Sequence, residues 1–298
     1  MMAQPPYRKP FTLYIQSKIQ SGLRFCSEIW FRQGTLILGR YHIQQRLGRG
    51  NYGVAYLCKD QHTGQPCVLK RISPLKGSKS RSRWIYDQET NMLGRLNHLG
   101  IPTLLEPFTY RQHLSFTMQY MEGENLATLL FHKNCTYTEL ESLQLISKLL
   151  EVIGYIHSVG VVHRDISLTN VIVAGDMVKL IDWGLARDLR GVTPNENDLE
   201  PLEIEGGHAS ENVLRRRLHR SSDFYAIGHL LLFLLYSTYT EDKNASTAKN
   251  MGWDEELNIH PHTKRLLRCL LEMEQPFGQA QDIILEIQRI LQSLTDSD

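Results

Sequence analysis

VVHRDISLTNVIVAGDMVKLIDWGL, residues 161–185, places three polar side chains at fixed offsets from a hairpin signal. Val171–Ala174 and Met177–Ile181 are short β-branched and apolar runs, and Gly175-Asp176 between them is a two-residue turn signal. A hairpin brings the chain before it close to the chain after it. Asp165 and Asn170 stand just before it and Asp182 just after it. Two carboxylates and an amide therefore converge at one open end. That end suits Mg²⁺, which takes hard oxygen ligands and usually keeps a phosphate as a further ligand.

His163-Arg164-Asp165, then Asn170, then Asp182-Trp183-Gly184 resemble the catalytic loop and metal-binding segment of the protein kinase family. The resemblance implies that Asp165 accepts the proton of a substrate hydroxyl and that Asn170 and Asp182 hold Mg²⁺. It implies an α+β fold of two lobes: a small, mostly β lobe at about 37–120, a hinge at about 119–124 and a mostly helical lobe at about 125–298. It also implies ATP as a ligand and proteins as substrates.

Upstream, Tyr41–Leu47 leads into Gly48-Arg49-Gly50-Asn51-Tyr52-Gly53 and then the alternating run Val54–Leu57. A dinucleotide fingerprint needs a helix after such glycines, and none is signalled. Two flanking strands instead suit a hairpin lid over phosphates, with glycine letting backbone N–H groups approach closely. The next strand, Cys67-Val68-Leu69-Lys70, carries a lysine in an apolar run, and a buried lysine needs a counter-charge. Ile85, Glu89, Met92, Leu93 and Leu96 share one helical face, so Glu89 points inward with the apolar stripe. By resemblance, Lys70 holds the α/β-phosphates and Glu89 pairs with it. Two further strands, Leu104–Tyr110 and Leu114–Tyr120, flank a polar turn at Arg111–His113. In Met118-Gln119-Tyr120-Met121 the resemblance places Met118 behind an adenine ring and the backbone of Gln119 and Met121 along its edge. It adds Leu47, Gly48, Gly50, Gly53, Ala55, Val68 and Ile172 to the nucleotide-binding set.

Downstream, Leu140, Leu143, Ile146, Leu149, Leu150, Ile153 and Ile156 keep a helical period. His157 and His163 read as core-packing residues rather than metal ligands. An acidic segment follows Gly184, and in the family this is the activation segment. There the usual Ala-Pro-Glu is Ala209-Ser210-Glu211. The family's arginine partner for that glutamate is replaced by Gln279, with Arg265 or Arg268 as substitutes. In the family, an arginine at position 164 pairs with a phosphorylated activation segment. Here the only hydroxyl between Trp183 and Ala209 is Thr193, among carboxylates. Ser167 stands where serine/threonine kinases carry a lysine. Asp223 opens an apolar run, Phe224–Tyr236, that reads as a buried central helix.

The formal net charge of +1 argues against a general nucleic-acid binder. Five scattered cysteines show no CxxC pair, so neither zinc nor a disulfide framework is expected, and reduced thiols point to the cytoplasm. Residues 1–36 are basic with apolar residues at helical spacing. They read as a helix packed on the domain, as a poorly ordered terminus, or as a peripheral membrane contact. The pattern HRDIS-x-x-N with CVLK is similar to bacterial eukaryotic-type serine/threonine kinases. The resulting expectation is an ATP-dependent protein kinase acting on serine/threonine hydroxyls. The alternative is a nucleotide-binding pseudokinase or scaffold. A small-molecule phosphotransferase usually has Gly where Arg164 stands. Oligomeric state and physiological substrate are not legible.

Overall fold

A computed structural model describes residues 30–50, 52–73, 79–190, 209–239 and 252–296. The chain divides into two compact units, residues 1–82 with 105–120 and residues 83–104 with 121–298.

The first unit is built on a six-stranded sheet. Its strands are β1 (Leu36–Ile37), β2 (Tyr41–Arg49), β3 (Gly53–Asp60), β4 (Pro66–Ile72), β5 (Leu104–Tyr110) and β6 (His113–Gln119), in the order β1-β2-β3-β4-β6-β5. β4 is central, and six of its seven residues are buried. β5 and β6 are joined at Arg111 and Gln112, whose φ values of +46° and +64° are those of a tight hairpin turn whose twist matches the strands. The polar turn expected there thus forms without glycine. One face of the sheet packs Ile37, Tyr41, Ile43, Tyr56 and Leu69 against Phe31. Phe31 is therefore core, and the Arg111 guanidinium lies over the Trp30 ring. Most of the basic N-terminal stretch, residues 1–29, lies outside the described residues. Arg40 grips Asp60 with two hydrogen bonds of 2.8 and 2.7 Å and reaches Glu106 at 3.1 Å, tying β3 to β5. Cys58 and Cys67 face each other across β3 and β4, and burial pushes their thiols up to about 12 and about 11.

The second unit is mainly helical. Its helices are α1 (Lys79–Arg95, which begins in the first unit), α2 (Glu139–Ser158), α3 (Ala209–Arg216), α4 (Ser221–Tyr236), α5 (Trp253–Glu256), α6 (Pro261–Leu270) and α7 (Ala280–Thr295), with a π-helical turn at Thr128–His132. α2 starts at a capping box in which Thr138 and Glu141 satisfy each other's backbone N–H groups. Its stripe Leu143, Ile146, Leu149, Leu150, Ile153 and Ile156 is buried, as the periodicity predicts. α4 begins two residues before Asp223, so that aspartate sits inside the helix rather than opening it. Ile85, Glu89, Met92 and Leu93 are buried on α1, and Leu96 lies just past its end. Small strands complete the unit: β7 (Glu124–Asn125), β9 (Val171–Ala174) and β10 (Met177–Leu180) form one sheet, and β8 (Val161–Val162) pairs with β11 (Arg187–Asp188).

Candidate active site

The hairpin forms in the expected register, with Met177 opposite Ala174 and Leu180 opposite Val171. Gly175 adopts φ +55°, which a β-carbon would resist. At the open end, the Ile181 N–H donates to the Asn170 carbonyl at 2.9 Å, bringing the chain after the hairpin back to the chain before it. Asn170 is held from below by its own N–H on the Ser167 carbonyl at 3.0 Å. Its amide nitrogen donates twice to Asp165, to the main-chain oxygen at 2.8 Å and to Oδ2 at 3.0 Å. This grip orients both residues. The Asn170 nitrogen is committed to Asp165, so the hard oxygen Oδ1 is the atom offered to a cation. Asp182 supplies a carboxylate at the same open end, one residue beyond the Ile181 N–H that bonds Asn170. Two such oxygens on a tied loop fit a Mg²⁺ ion, which is held by one or two carboxylates plus phosphate oxygens.

Two residues of this loop are strained. Arg164 and Asp182 both have φ of +65°, a left-handed conformation that costs roughly 1–3 kcal/mol in a residue with a side chain. Surrounding contacts hold Arg164 there. Asp223, fully buried on α4, accepts the N–H of His163 at 2.9 Å and of Arg164 at 2.8 Å. The same carboxylate bonds His157 Nε2 at 2.9 Å. Burial pushes the Asp223 carboxyl up, but these donors outweigh it and hold it below the usual carboxylate range. His163, buried edge-on against Trp183, is pushed down by desolvation, although Asp223 and Asp182 pull the other way. The Trp183 indole N–H donates to the Leu180 carbonyl at 3.3 Å. The Arg164 guanidinium donates to two carbonyls, Arg216 O at 2.8 Å and Leu185 O at 3.4 Å. Neither Asp223 nor His157 had been assigned a role at this site from sequence. The signal was present: an acid in the first turn of a largely apolar, buried helix must find buried donors.

The other expected ligand-binding residues fall on the first unit's sheet and on the second unit. In the sheet, Ala55, Lys70 and Phe116 form one cross-strand row, and Leu57, Val68 and Met118 form the next on the same face. Ala55, Val68, Lys70 and Met118 are thereby brought together, with Lys70 93% buried in side-chain company. Leu47 is exposed at the irregular end of β2, where the register shifts between Arg46 and Gly48. Gln119 ends β6. The three loop glycines have different reasons. A β-carbon at Gly53 would lie 2.5 Å from the Arg71 carbonyl, so packing alone demands glycine there. β-carbons at Gly48 and Gly50 would meet nothing within 4 Å, so packing does not demand glycine at either position. In the second unit, Met121 and Glu89 are buried, and Ile172 pairs with Asn125 of β7.

The activation segment expected from after Gly184 to about Gly207 falls mostly outside the described residues, as does Thr193. The side chain of Glu211 is also outside them. Arg268, one of its two proposed partners, bonds Asp254 at 3.4 Å.

This constellation is that of the protein kinase domain family, which matches residues 41–295; the chain belongs to that family. The probable serine/threonine-protein kinase YbdM of Bacillus subtilis is 35% identical over 89% of this chain and 94% of its own. Serine/threonine-protein kinase B of Synechocystis is 29% identical over 79% of this chain, which spans 43% of that protein. The crystal structure of the Mycobacterium tuberculosis PknI kinase domain has the same fold, with a TM-score of 0.63 at 18% identity over 87% of this chain and 98% of that one. A mostly β unit and a mostly helical unit are thus the two halves of a protein kinase fold. Among the described residues no helix is long and apolar enough to cross a membrane.

Proposed function

We propose that the chain transfers the γ-phosphoryl group of Mg·ATP to serine or threonine hydroxyls of protein substrates, with Asp165 as the base. The observation that carries this is the double hydrogen bond from Asn170 to Asp165, on a loop clamped from beneath by Asp223. A base must be held in one orientation to meet the hydroxyl proton, and positioning supplies most of the catalysis in phosphoryl transfer. The Mg²⁺ ion, held by Asn170 and Asp182, would neutralise phosphate charge. Lys70 would hold the α/β-phosphates with Glu89 as its counter-charge, and Gly48 and Gly50 would admit the phosphates to backbone N–H groups. Leu47, Ala55, Val68, Met118 and Ile172 would contact the adenine, whose edge would be read by the backbone of Gln119 and Met121. The names of the relatives support serine/threonine as the acceptor class.

Labelled Mg·ATP, offered with a generic basic protein, tests the reading. Wild type should incorporate phosphate. Asp165→Asn should lower the rate by about a hundredfold or more while nucleotide binding stays nearly intact. Lys70→Met should impair both. Equal, background-level incorporation by wild type and Asp165→Asn would favour the scaffold alternative.

A further inference from the structure

Arg71 follows Lys70 on β4, so the two side chains leave opposite faces of the sheet. Arg71 is 3% exposed, and its Nε and Nη1 are buried without a hydrogen-bond partner. A desolvated guanidinium that lacks acceptors is costly. What meets it is a ring: the guanidinium lies over Phe31, 4.9 Å from the ring centre. A cation on an aromatic face gains most where water is excluded. Phe31 is held in turn by Tyr56, stacked at 5.8 Å, and by Tyr110 and His113, edge-on at 5.8 and 5.7 Å. Burial, and then the Arg71 charge, push His113 below the usual imidazole range, so it adds no second cation to the cluster. The chain just after Phe31 is fastened to β2: the Gly34 N–H donates to the Ile43 carbonyl at 2.9 Å, and the Ile43 N–H to the Thr35 carbonyl at 2.9 Å.

The main chain of Arg71 has a separate task. Arg71 opposes Val54, between the pairs Lys70–Ala55 and Ile72–Gly53. Its carbonyl lies 2.5 Å from where a β-carbon on Gly53 would stand, so the end of the glycine loop rests on this peptide. The Ser73 N–H donates to the Tyr52 carbonyl at 2.8 Å, and the Gly50 N–H to the Gly53 carbonyl at 2.9 Å. The stretch 70–73 thus carries Lys70 on one face and backs the glycine loop with its main chain. Without the Phe31 ring, the Arg71 side chain reaches acceptors or water only by shifting this stretch, and both nucleotide-gripping groups shift with it.

We propose that Phe31 is a positioning residue for nucleotide binding: by covering the Arg71 guanidinium it fixes the strand that carries Lys70 and backs the glycine loop. The effect on nucleotide affinity rests on the roles proposed above for Lys70 and the glycines; the hold on β4 does not.

The test uses the full chain and a double-mutant cycle. A non-hydrolysable ATP analogue with Mg²⁺ is titrated by calorimetry. Phe31→Leu keeps apolar bulk and removes the ring. Arg71→Met replaces the guanidinium by an unbranched apolar chain, so nothing buried needs the ring. Contacting residues couple, and Phe31→Leu should weaken the analogue about fivefold or more with Arg71 present, but less than about twofold in the Arg71→Met background. Lost packing lowers the melting temperature in both backgrounds, so the difference in affinity carries the result. Hydrogen exchange at the β4 amides of Lys70 to Ile72 is the second readout. Phe31→Leu should speed it about tenfold with Arg71 present and less than about twofold in the Arg71→Met background. Equal losses of affinity in the two backgrounds would show that Phe31 is core packing alone and overturn the proposal. Analogue binding by Phe31→Leu within twofold of wild type would overturn it too. No analogue binding by wild type would instead overturn the nucleotide roles proposed above. The hold on β4 would then be judged by exchange, and equal exchange in the two backgrounds would overturn it.

Discussion

Truncating Asp223 is the most direct way to test what holds the catalytic loop. Asp223→Ala removes the acceptor of three buried hydrogen bonds, from the N–H groups of His163 and Arg164 and from the His157 ring. Each buried donor left unsatisfied costs about 1–3 kcal/mol, and hydrogen bonds to a charged acceptor lie toward the upper end. Three such losses would sum to roughly 3–9 kcal/mol if nothing moved. Arg164 has an escape: its left-handed backbone stores about 1–3 kcal/mol, recovered if the loop relaxes. The expected net loss is therefore about 3–5 kcal/mol, and the relaxation should move Asp165 out of position. Asp223→Asn keeps one acceptor oxygen and should lose about half as much. Thermal melts and phosphorylation rates of the three proteins give the answer. For a protein of this size a loss of 3–5 kcal/mol lowers the midpoint by about 6–20 °C. The phosphorylation rate of Asp223→Ala should fall at least a hundredfold. A midpoint within about 2 °C of wild type, or a rate within fivefold, would refute the view that this carboxylate holds the loop against strain.

Further expectations concern the metal, acid stability and the activation segment. Mg·ATP at about a hundred micromolar should stabilise the fold by roughly 1–3 kcal/mol, seen as a rise in melting temperature, and Asp182→Asn should remove most of the Mg²⁺ dependence. The hydrogen bonds from Arg40 hold the Asp60 carboxyl well below the usual carboxylate range. A folded-state value below the unfolded one gives stability that is present above about pH 4 and lost as pH falls through the folded value, so Asp60→Asn should flatten the acid limb of the stability–pH curve below about pH 4. Arg164 is already engaged by two carbonyls. Thr193→Ala should therefore change the autophosphorylation-dependent rate by less than about fivefold, measured beside peptide mapping of the phosphorylated sites.

The hairpin and the inward face of α1 were legible because their information is local. Gly175-Asp176 between two β-branched runs specifies a turn and a register, and Ile85, Glu89 and Met92 recur at the helical period. The glycine loop was legible as a pattern but not in its reasons. Only the packing of β3 on β4 distinguishes Gly53, barred from a β-carbon by the Arg71 carbonyl, from Gly48 and Gly50, which are open.

By itself the sequence determined the family, the hairpin and the identities of Asp165, Asn170 and Asp182, since turn chemistry, alternation and short-range spacing all act within a few residues. Tertiary structure alone decided how those groups are held. Asp223 lies 59 positions from the Arg164 N–H it accepts, and His157 lies 66 positions from Asp223. No local period records that separation. A buried carboxylate must find donors wherever the fold brings them, and only the packing of α4 beneath the loop shows which it finds.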